Sequence, residues 1–262
     1  MTPIEQKLTV WLTGASSGIG LALLKQLVAK GHTVVATARS VDSLEKLREE
    51  HGEQVIPLVA DTTAPEHMAR CAESLARIPV IDWAILNAGT CEYLDVQQFS
   101  AELIDRVMTT NVVGTARCVE AVLPRLRAAR NRGRQPRLAI VSSSAWWFPF
   151  TRAEAYGASK AALSYFGQSL RADLHYEGIA VSVISPGFVE TPLTARNDFS
   201  MPFIIPAEEA ARIIVKGLEK GRSEIAFPKK FTVTLRLLGL LPGLLRDKLA
   251  ASLSRNTSEN QA

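Results

Sequence analysis

The feature that most constrains the fold is a glycine-rich turn that directly follows a short apolar run. Leu8–Leu12 is apolar and β-branched, and the next eight residues read Thr13-Gly14-Ala15-Ser16-Ser17-Gly18-Ile19-Gly20. A helical pattern, Leu21–Lys30, follows and stops before Gly31, which is suited to a helix C-cap. Strand, turn and helix in this order predict a phosphate-binding turn, because small residues let a pyrophosphate approach and the helix start offers N–H groups. In isolation, the Gly-x-x-x-Gly-x-Gly spacing also fits a mere tight turn.

Apolar runs and helical patterns alternate along the rest of the chain. Asp42-Ser43-Leu44-Glu45 resembles a capping box and predicts a helix start with Asp42 as N-cap. The pattern predicts an α/β fold, a Rossmann-like doubly wound parallel sheet of about seven strands with helices on both faces. Without a linker-like stretch inside residues 8–227, we expect one dinucleotide-binding and catalytic domain over residues 1–228 and a tail over residues 229–262. The predicted strands are Leu8–Leu12, Thr33–Ala38, Val55–Val59, Trp83–Leu86, Leu138–Ser142, Val181–Ile184 and Ile225–Phe227.

Composition excludes several other classes of protein. A chain of 262 residues, 47% hydrophobic and 21% charged, is typical of a folded globular protein. A net charge of +4 is too small to predict a nucleic-acid partner. The distant Cys71, Cys91 and Cys118 and the scattered histidines predict neither a disulfide framework nor a metal site. Met1–Lys7 lacks a signal-peptide core and no apolar run reaches the ~20 residues of a spanning helix, so we expect a cytoplasmic chain.

A tyrosine and a lysine four residues apart carry the expected chemistry. Tyr156 and Lys160 share one face of a predicted helix. A phenol of pKa ~10 is a poor base at neutral pH, and a nearby cation lowers that pKa. We expect Tyr156 to exchange a proton with a substrate oxygen while Lys160 supplies the cation. A serine of Ser142–Ser144, at a strand end, can hydrogen-bond the same oxygen. A half-buried ring beside a lysine stem, and a strand-end cluster of hydroxyls, remain the alternatives.

Five motifs in order resemble the short-chain dehydrogenase/reductase family from about Leu8 to Phe227. The resemblance implies hydride transfer between a nicotinamide cofactor and a carbonyl or hydroxyl group, with Tyr156 as general acid/base. The family's serine-to-tyrosine spacing selects Ser143. Asn111 resembles a helix asparagine that holds a water in the proton relay, and a tie between backbone segments is its alternative. The motifs are Thr13–Gly20, Asn87-Ala88-Gly89, Tyr156-Gly157-Ala158-Ser159-Lys160, Pro186-Gly187 and Thr191.

The end of the second predicted strand indicates which cofactor is preferred. NAD-selective folds place an acid there, but this strand ends Thr37-Ala38-Arg39. Arg39 is placed to bind a 2′-phosphate, with Ser16 as a second donor, so we expect NADP(H) to be favoured over NAD(H). A merely solvated Arg39 is the alternative. By resemblance, Asp61 and Thr62 contact the adenine, Asn87–Gly89 the ribose and Thr191 the carboxamide. The expected cofactor residues are Gly14, Ser16, Ser17, Gly18, Ile19, Gly20, Arg39, Asp61, Thr62, Asn87, Ala88, Gly89, Tyr156, Lys160, Pro186, Gly187, Val189 and Thr191.

The substrate side is predicted from two apolar segments that leave strands at the same sheet edge. Residues 146–150 and 192–206 are rich in aromatic and aliphatic side chains and predict a pocket for an apolar small molecule. Ordinary core anchoring is the alternative reading of each residue. A non-catalytic nucleotide-sensing or binding protein on the same fold is the competing functional class. The family resemblance implies a homodimer or homotetramer.

Two basic regions complete the sequence. The leucine-rich tail after Pro228 is expected to make peripheral contact with a membrane or to cover the pocket, with a subunit interface or packing on its own domain as the rival. Six arginines between Arg125 and Arg137 are expected in a solvated helix-to-strand loop opposite the active site, rather than at an anionic partner.

Overall fold

The computed structural model describes residues 7–252 and is organised around a parallel sheet of seven strands. The strands, in chain order, are β1 (Thr9–Thr13), β2 (Thr33–Ala38), β3 (Val55–Val59), β4 (Trp83–Leu86), β5 (Arg137–Val141), β6 (Ala180–Pro186), β7 (Val189–Glu190), β8 (Ile205–Pro206) and β9 (Glu224–Phe227). The spatial order is β3-β2-β1-β4-β5-β6-β9, and β7 pairs with β8 in a separate short ladder. The Rossmann-like doubly wound parallel sheet is thereby confirmed.

Helices cover both faces of this sheet. They are α1 (Gly18–Ala29), α2 (Val41–His51), α3 (Pro65–Ala76), α4 (Ala101–Met108), α5 (Gly114–Asn131), α6 (Glu154–Leu174), α7 (Ala207–Glu219), α8 (Lys229–Gly239) and α9 (Gly243–Ser252). Helices α1, α2 and α7 pack into one apolar core, and α3, α5 and α6 pack into the other. Within β1, Val10 and Leu12 enter the first core while Trp11 enters the second, because successive strand residues point to opposite faces.

The order of the strands reverses between β1 and β4, which pair in parallel with Thr13 beside Leu86. Ligands of open α/β sheets bind at such a switch point, outside the carboxyl ends of the strands. Both the glycine turn after β1 and the Asn87-Ala88-Gly89 segment after β4 therefore emerge at the place where the fold favours a ligand.

The start of α2 differs from the expected capping box. Ser40, not Asp42, is the N-cap, and its hydroxyl accepts a hydrogen bond from the Ser43 backbone N–H at 3.2 Å. Asp42 lies in the first turn, where a negative charge is favourable to the helix dipole. The expectation for Asp42 was wrong because a second residue with a capping side chain stands two positions earlier.

Of the arginines between residues 125 and 137, Arg127, Arg130 and Arg132 are exposed as expected, but the six do not share one loop. Helix α5 continues to Asn131, so Arg125, Arg127 and Arg130 are helical. Arg134 makes a two-pronged contact with the buried Asp82 carboxylate at 2.6 and 2.9 Å, and Arg125 donates to the Ile78 carbonyl. Arg125 thus ties α5, and Arg134 ties the turn that follows it, to the amino-terminal edge of the sheet, opposite the glycine turn.

The described part of the tail forms α8 and α9. Phe231 and Leu235 of α8 are buried in a third apolar cluster together with Phe148, which puts this helix against its own domain. The Arg236 guanidinium stacks on the Trp147 ring, 4.3 Å from its centroid. Residues 253–262 of the expected tail, like Met1–Gln6, lie outside the described residues. The division of the chain at residue 228 stays a prediction.

Candidate active site

The glycine turn is fitted against the segment that follows β4. Gly14 has φ +67°, and a Cβ atom there would lie 2.9 Å from Asn87 Nδ2. The Asn87 amide donates to the backbone oxygens of Thr13 and Gly14 at 3.2 and 3.3 Å, while the Thr13 hydroxyl accepts from the Asn87 and Ala88 backbone N–H groups. This network leaves no room for a side chain at Gly14 and fixes the turn at the mouth of the site.

The start of α1 fits an anionic group. Ser17 is the N-cap residue, but across residues 7–252 no side chain caps this helix start, and the first turn holds no acid. The first N–H groups of a helix need partners and carry a partial positive charge, so a pyrophosphate satisfies both needs. An open cleft of about 550 Å³ adjoins this turn and is lined in part by Ser16, Ser17, Gly18 and Pro192.

The ends of β2 and β3 bring a cation and a carboxylate together. Arg39 is exposed directly after β2. Asp61 accepts hydrogen bonds from the Thr63 backbone N–H and hydroxyl at 2.9 and 2.8 Å. Burial raises the pKa of Asp61, but the Thr63 hydrogen bonds and the charges of Arg39 and His67 outweigh it, so the pKa lies below its usual value. The edge next to β2 therefore offers a guanidinium and an ionised carboxylate to a ligand.

Asn111 is the centre of a buried hydrogen-bond network behind the site. It lies on the π-helical turn Thr109–Val113 between α4 and α5 and is fully buried. Its amide oxygen accepts from the Thr90 backbone N–H at 2.7 Å, and its amide nitrogen donates to the Thr90 carbonyl and the Ser159 hydroxyl, both at 2.9 Å. Asn111 thus ties the segment after β4 to helix α6. A role in holding a water stays a prediction.

Tyr156, Lys160 and Ser143 lie together between β5 and α6. Tyr156 is half-buried, and a hydrogen bond joins it to the Ser143 hydroxyl. Lys160 is 5% exposed; its ammonium donates to the Val141 carbonyl at 3.0 Å and lies 5.6 Å from the Tyr156 ring centroid. The neighbouring Ser142 hydroxyl instead donates to the Lys160 carbonyl at 2.8 Å. Ser143 is therefore the serine that contacts Tyr156, and its contact with a substrate oxygen stays a prediction.

The pKa values in this group differ from the expectation. Burial raises the pKa of Tyr156, the Cys91 thiolate would raise it further, and only the Ser143 hydrogen bond opposes the rise. Burial lowers the pKa of Lys160 to about 8. The expected lowering of the Tyr156 pKa by Lys160 was wrong for this structure, since desolvation disfavours both the phenolate and the ammonium. The structure favours a protonated phenol, which is the form that donates a proton.

The other expected cofactor residues lie near the glycine turn, near Lys160 or at strand ends. Gly18 and Thr191 are neighbours, since a Cβ at Gly18 would lie 3.1 Å from the Thr191 methyl carbon. A Cβ at Gly89 would lie 3.0 Å from Asn111 Oδ1 and 3.5 Å from Lys160 Nζ. Thr62 is buried after β3. Four of the remaining residues lie in or beside α1 and β6, namely Ile19, Gly20, Pro186 and Gly187, and Val189 lies in β7.

Aromatic side chains of residues 146–150, 188–204 and 231–238 pack together. This cluster is called the substrate wall, after the role expected for it from the sequence. The Phe188 ring lies 6.0 Å from Phe199 and 5.3 Å from Phe231, measured between centroids. Phe203 adds a further contact to Phe231 at 6.3 Å. The two apolar segments expected beside the pocket thus meet helix α8 in one layer of rings.

Three polar residues of the site were missed from the sequence. Cys91 and Tyr93 follow the Asn87-Ala88-Gly89 segment, and Arg152 lies between Ser143 and Tyr156. The charge of Lys160 acts on the Cys91 thiol, and the charge of Tyr156 acts on Tyr93, so both lie near the reactive group. For Cys91 and Tyr93, a position in the segment after β4 was the available signal. In the described part of the chain, no cluster of three His, Cys, Asp or Glu side chains could hold a metal ion.

The fold and the site together define a dinucleotide-binding α/β protein. Residues 8–200 match the family model of the short chain dehydrogenases, and the chain belongs to that family. It is 36% identical over 249 residues to an uncharacterized oxidoreductase of Myxococcus xanthus, covering 94% of this chain and 97% of the relative. It is 34% identical over 185 residues to an NADP-dependent 3-hydroxy acid dehydrogenase of Salmonella typhi, covering 69% of this chain and 72% of the relative.

Solved structures show the same likeness. A short-chain dehydrogenase from Sphingobium yanoikuyae in complex with NADPH superposes with a TM-score of 0.77 at 27% identity, covering 95% of this chain and 97% of that one. Family and relatives together identify the protein as an NAD(P)-dependent oxidoreductase. The segment from residue 7 to residue 252 includes no helix that is both long enough and apolar enough to cross a membrane.

Proposed function

We propose that the protein is an NADP(H)-preferring oxidoreductase that transfers a hydride between nicotinamide and a carbonyl or hydroxyl group of an apolar small molecule. The observation that carries the proposal is the Tyr156 phenol, hydrogen-bonded to Ser143 and adjoining the buried Lys160. The substrate body lies against the substrate wall, since its aromatic rings favour apolar surface. The glycine turn and the uncapped start of α1 hold the cofactor's pyrophosphate.

In reduction, each side chain has a defined task. A reduced nicotinamide cofactor, when bound, would supply the hydride that the carbonyl carbon accepts. Tyr156 donates its proton to the carbonyl oxygen as negative charge develops there, which its raised pKa favours by keeping the phenol protonated. The Ser143 hydroxyl donates a second hydrogen bond to the same oxygen and stabilises the developing charge. In oxidation, Tyr156 accepts the hydroxyl proton instead.

The proposal is tested with the Tyr156→Phe variant on a panel of ketones and alcohols, including hydroxy acids of the kind named for the Salmonella relative. Loss of the phenol proton is expected to lower kcat/KM by about 10²–10⁴-fold. Turnover is measured from the change in NADPH absorbance. Tyr165→Phe is the matched control, because Tyr165 lies on the same helix but is 78% exposed. Equal turnover by Tyr156→Phe and wild type would favour the competing class, a nucleotide-binding protein without this chemistry.

The preference for NADP(H) rests on Arg39 at the end of β2, where no acid stands. The names of the Salmonella relative and the Sphingobium structure, which include NADP and NADPH, support it. Arg39→Asp removes a charge-assisted hydrogen bond to the 2′-phosphate, so kcat/KM with NADPH should fall by about tenfold to hundredfold while the value with NADH rises. Arg70→Asp, at an exposed arginine of α3, is the control. An unchanged NADPH-to-NADH ratio in Arg39→Asp would overturn the preference.

The tail supports a proposal of peripheral contact with an anionic membrane surface. Helix α8 buries the stripe Phe231, Leu235 and Leu238 against the domain, although Leu238 only in part. On its other side Val233, Leu237 and Leu240 are 53%, 61% and 80% exposed. At the start of α9, Leu244 and Leu245 are exposed as well. A helix that is apolar on two sides but buried on one, with Lys229, Lys230 and Lys248 exposed nearby, fits the interface of a bilayer.

Deleting the tail would also remove the buried Phe231, so point variants are the sharper test. Replacing Leu240 and Leu244 with serine should abolish sedimentation with vesicles that contain phosphatidylserine and leave NADPH oxidation of a water-soluble substrate intact. Vesicles of phosphatidylcholine alone are the control for charge. Equal sedimentation of the double variant and wild type would refute membrane contact. Light scattering of wild type separately tests the homodimer or homotetramer that the family resemblance implies.

A further inference from the structure

A second polar cluster lies beside Tyr156 and is not used in the proton transfer described above. The Tyr93 hydroxyl donates to Asn197 Oδ1 at 3.0 Å, and its ring meets Phe199 edge-on at 5.6 Å. Burial raises the pKa of Tyr93, and the charges of Cys91 and Tyr156 raise it further. The cluster therefore joins the segment after β4 to the segment 191–204, close to the reactive phenol.

Arg152 is the cation of this cluster. Its guanidinium carbon lies 5.7 Å from the centroid of the Tyr93 ring. Its backbone has φ +66°, a left-handed conformation that residues other than glycine rarely adopt and that collects at ligand sites. The Leu94 backbone N–H donates to the Arg152 carbonyl at 2.9 Å and fixes this conformation.

The ion pair between Arg152 and Asp198 is long and exposed. Asp198 Oδ2 lies 3.4 Å from Arg152 Nη1, and the two side chains are 59% and 43% exposed. Such exposed pairs contribute at most about 1 kcal/mol. A guanidinium presents a planar fork that matches a carboxylate with two parallel hydrogen bonds, a stronger contact than this single long one.

We propose that Arg152 is a specificity-determining residue that binds a carboxylate on the substrate in exchange for Asp198. The preferred substrate is then an oxo or hydroxy acid whose apolar body contacts the substrate wall and whose reacting oxygen meets Tyr156. The Tyr93 ring holds the guanidinium in place through a cation–π contact. This inference rests on the proposed oxidoreductase function and assigns the second end of its substrate.

The test compares a series of hydroxy acids, which differ in the distance between hydroxyl and carboxylate, with their methyl esters. The readout is the ratio of kcat/KM for each acid to that for its ester, measured by NADPH formation. Arg152→Gln should lower this ratio by about tenfold to hundredfold, because a charged hydrogen-bond donor is lost. Asp198→Asn should raise the ratio by about twofold to fivefold, since it removes the competing anion.

Arg70→Gln is the matched control, because Arg70 is exposed on helix α3, outside the substrate wall, and its charge should not affect the ratio. If Arg152→Gln does not fold, Arg152→Lys replaces it, because lysine keeps the charge but lacks the planar fork. Asp198→Asn tests the inference independently, since it should raise the acid-to-ester ratio that the Arg152 variants lower. Equal effects of the Arg152 variants on acids and esters, with no gain in Asp198→Asn, would overturn the inference. Wild type that turns over neither acids nor esters would instead count against the proposed function.

Discussion

The two sides of the site are built by different interactions. The cofactor wall, made of residues 13–20, 37–39 and 87–90, is held by hydrogen bonds between backbone groups and short side chains, such as Asn87 Nδ2 to the Gly14 carbonyl at 3.3 Å. The substrate wall is held by ring contacts, such as Phe188 against Phe231 at 5.3 Å. Hydrogen bonds demand particular atoms at particular places, whereas apolar packing mainly demands volume. The cofactor wall should therefore tolerate few substitutions, whereas the substrate wall should accept other apolar residues of similar volume.

Among substitutions in the cofactor wall, one at Gly14 should have the largest effect on cofactor binding. In Gly14→Val, the new Cβ would clash with Asn87 Nδ2 at 2.9 Å and force a left-handed conformation on a β-branched residue. We expect NADPH affinity, measured by fluorescence titration, to fall roughly hundredfold or more, equivalent to about 3 kcal/mol.

The control for Gly14 is Gly31→Val at the other end of α1. Gly31 has φ +80°, but no atom lies within 4 Å of the position that a Cβ would take, so this variant adds backbone strain without a clash. It should lose about 1–2 kcal/mol of unfolding free energy and keep its affinity for NADPH. Similar affinity losses in both variants would show that strain, and not the fit to Asn87, is responsible.

Lys160 lies beside Gly89 of the cofactor wall and should determine the pH dependence. Its pKa of about 8 means that its charge is present below that pH and is lost as the pH rises through it. We expect kcat/KM for carbonyl reduction to be level near pH 7 and to fall about tenfold per unit well above pH 8, as the ammonium beside Tyr156 deprotonates. Lys160→Met should have low activity without this inflection. An inflection that persists in Lys160→Met would assign it to another group.

The adaptability of the substrate wall is tested at Phe231, which is 8% exposed. Phe231→Ala leaves a cavity and should lower the free energy of unfolding by about 3 kcal/mol, measured by urea denaturation. Phe231→Leu keeps most of the volume and should cost less than about 1.5 kcal/mol. NADPH affinity should not change in either variant. A leucine as costly as the alanine would show that the rings, and not their volume, are required.

Neighbouring serines provide the smallest contrast. Ser142 bonds to helix α6 through the Lys160 carbonyl and Ser164, whereas Ser143 bonds to Tyr156. Ser142→Ala should lower stability by about 1 kcal/mol and leave kcat unchanged. Ser143→Ala is its partner variant and should lower kcat with little loss of stability. The reverse assignment of these effects would move the reactive hydroxyl by one residue.

The same contrast explains how much of the molecule could be predicted from sequence. Spacing identified the glycine turn and the pair Tyr156 and Lys160, because backbone geometry converts fixed spacings into fixed distances. It could not find the contact of Tyr93 with Asn197, which are 104 positions apart and meet only through the course of two loops. Nor could it decide which apolar stripe of α8 is buried, since both have helical spacing.

The pKa expectation for Tyr156 failed for a related reason. Sequence places Lys160 one turn away from Tyr156, and from that a lowered phenol pKa follows. Burial depends on the packing of β5, α6 and the segment after β4. It raises the pKa of Tyr156 and lowers the pKa of Lys160, so it disfavours the charged form of both groups. The family of the chain was visible in its motifs, while the balance of desolvation and charge required the folded structure.

The position of α8 late in the chain determines which wall of the site is completed last during translation. The strands and turns of the cofactor wall are complete by residue 90, but Phe231, which closes the substrate wall, follows the last strand of the sheet. Since chains emerge from the ribosome from the N-terminus, the ring layer is finished only when translation is nearly over. A chain arrested before α8 would leave the half-buried Phe188 ring without its contact to Phe231, so this part of the substrate wall would stay open until the end of synthesis.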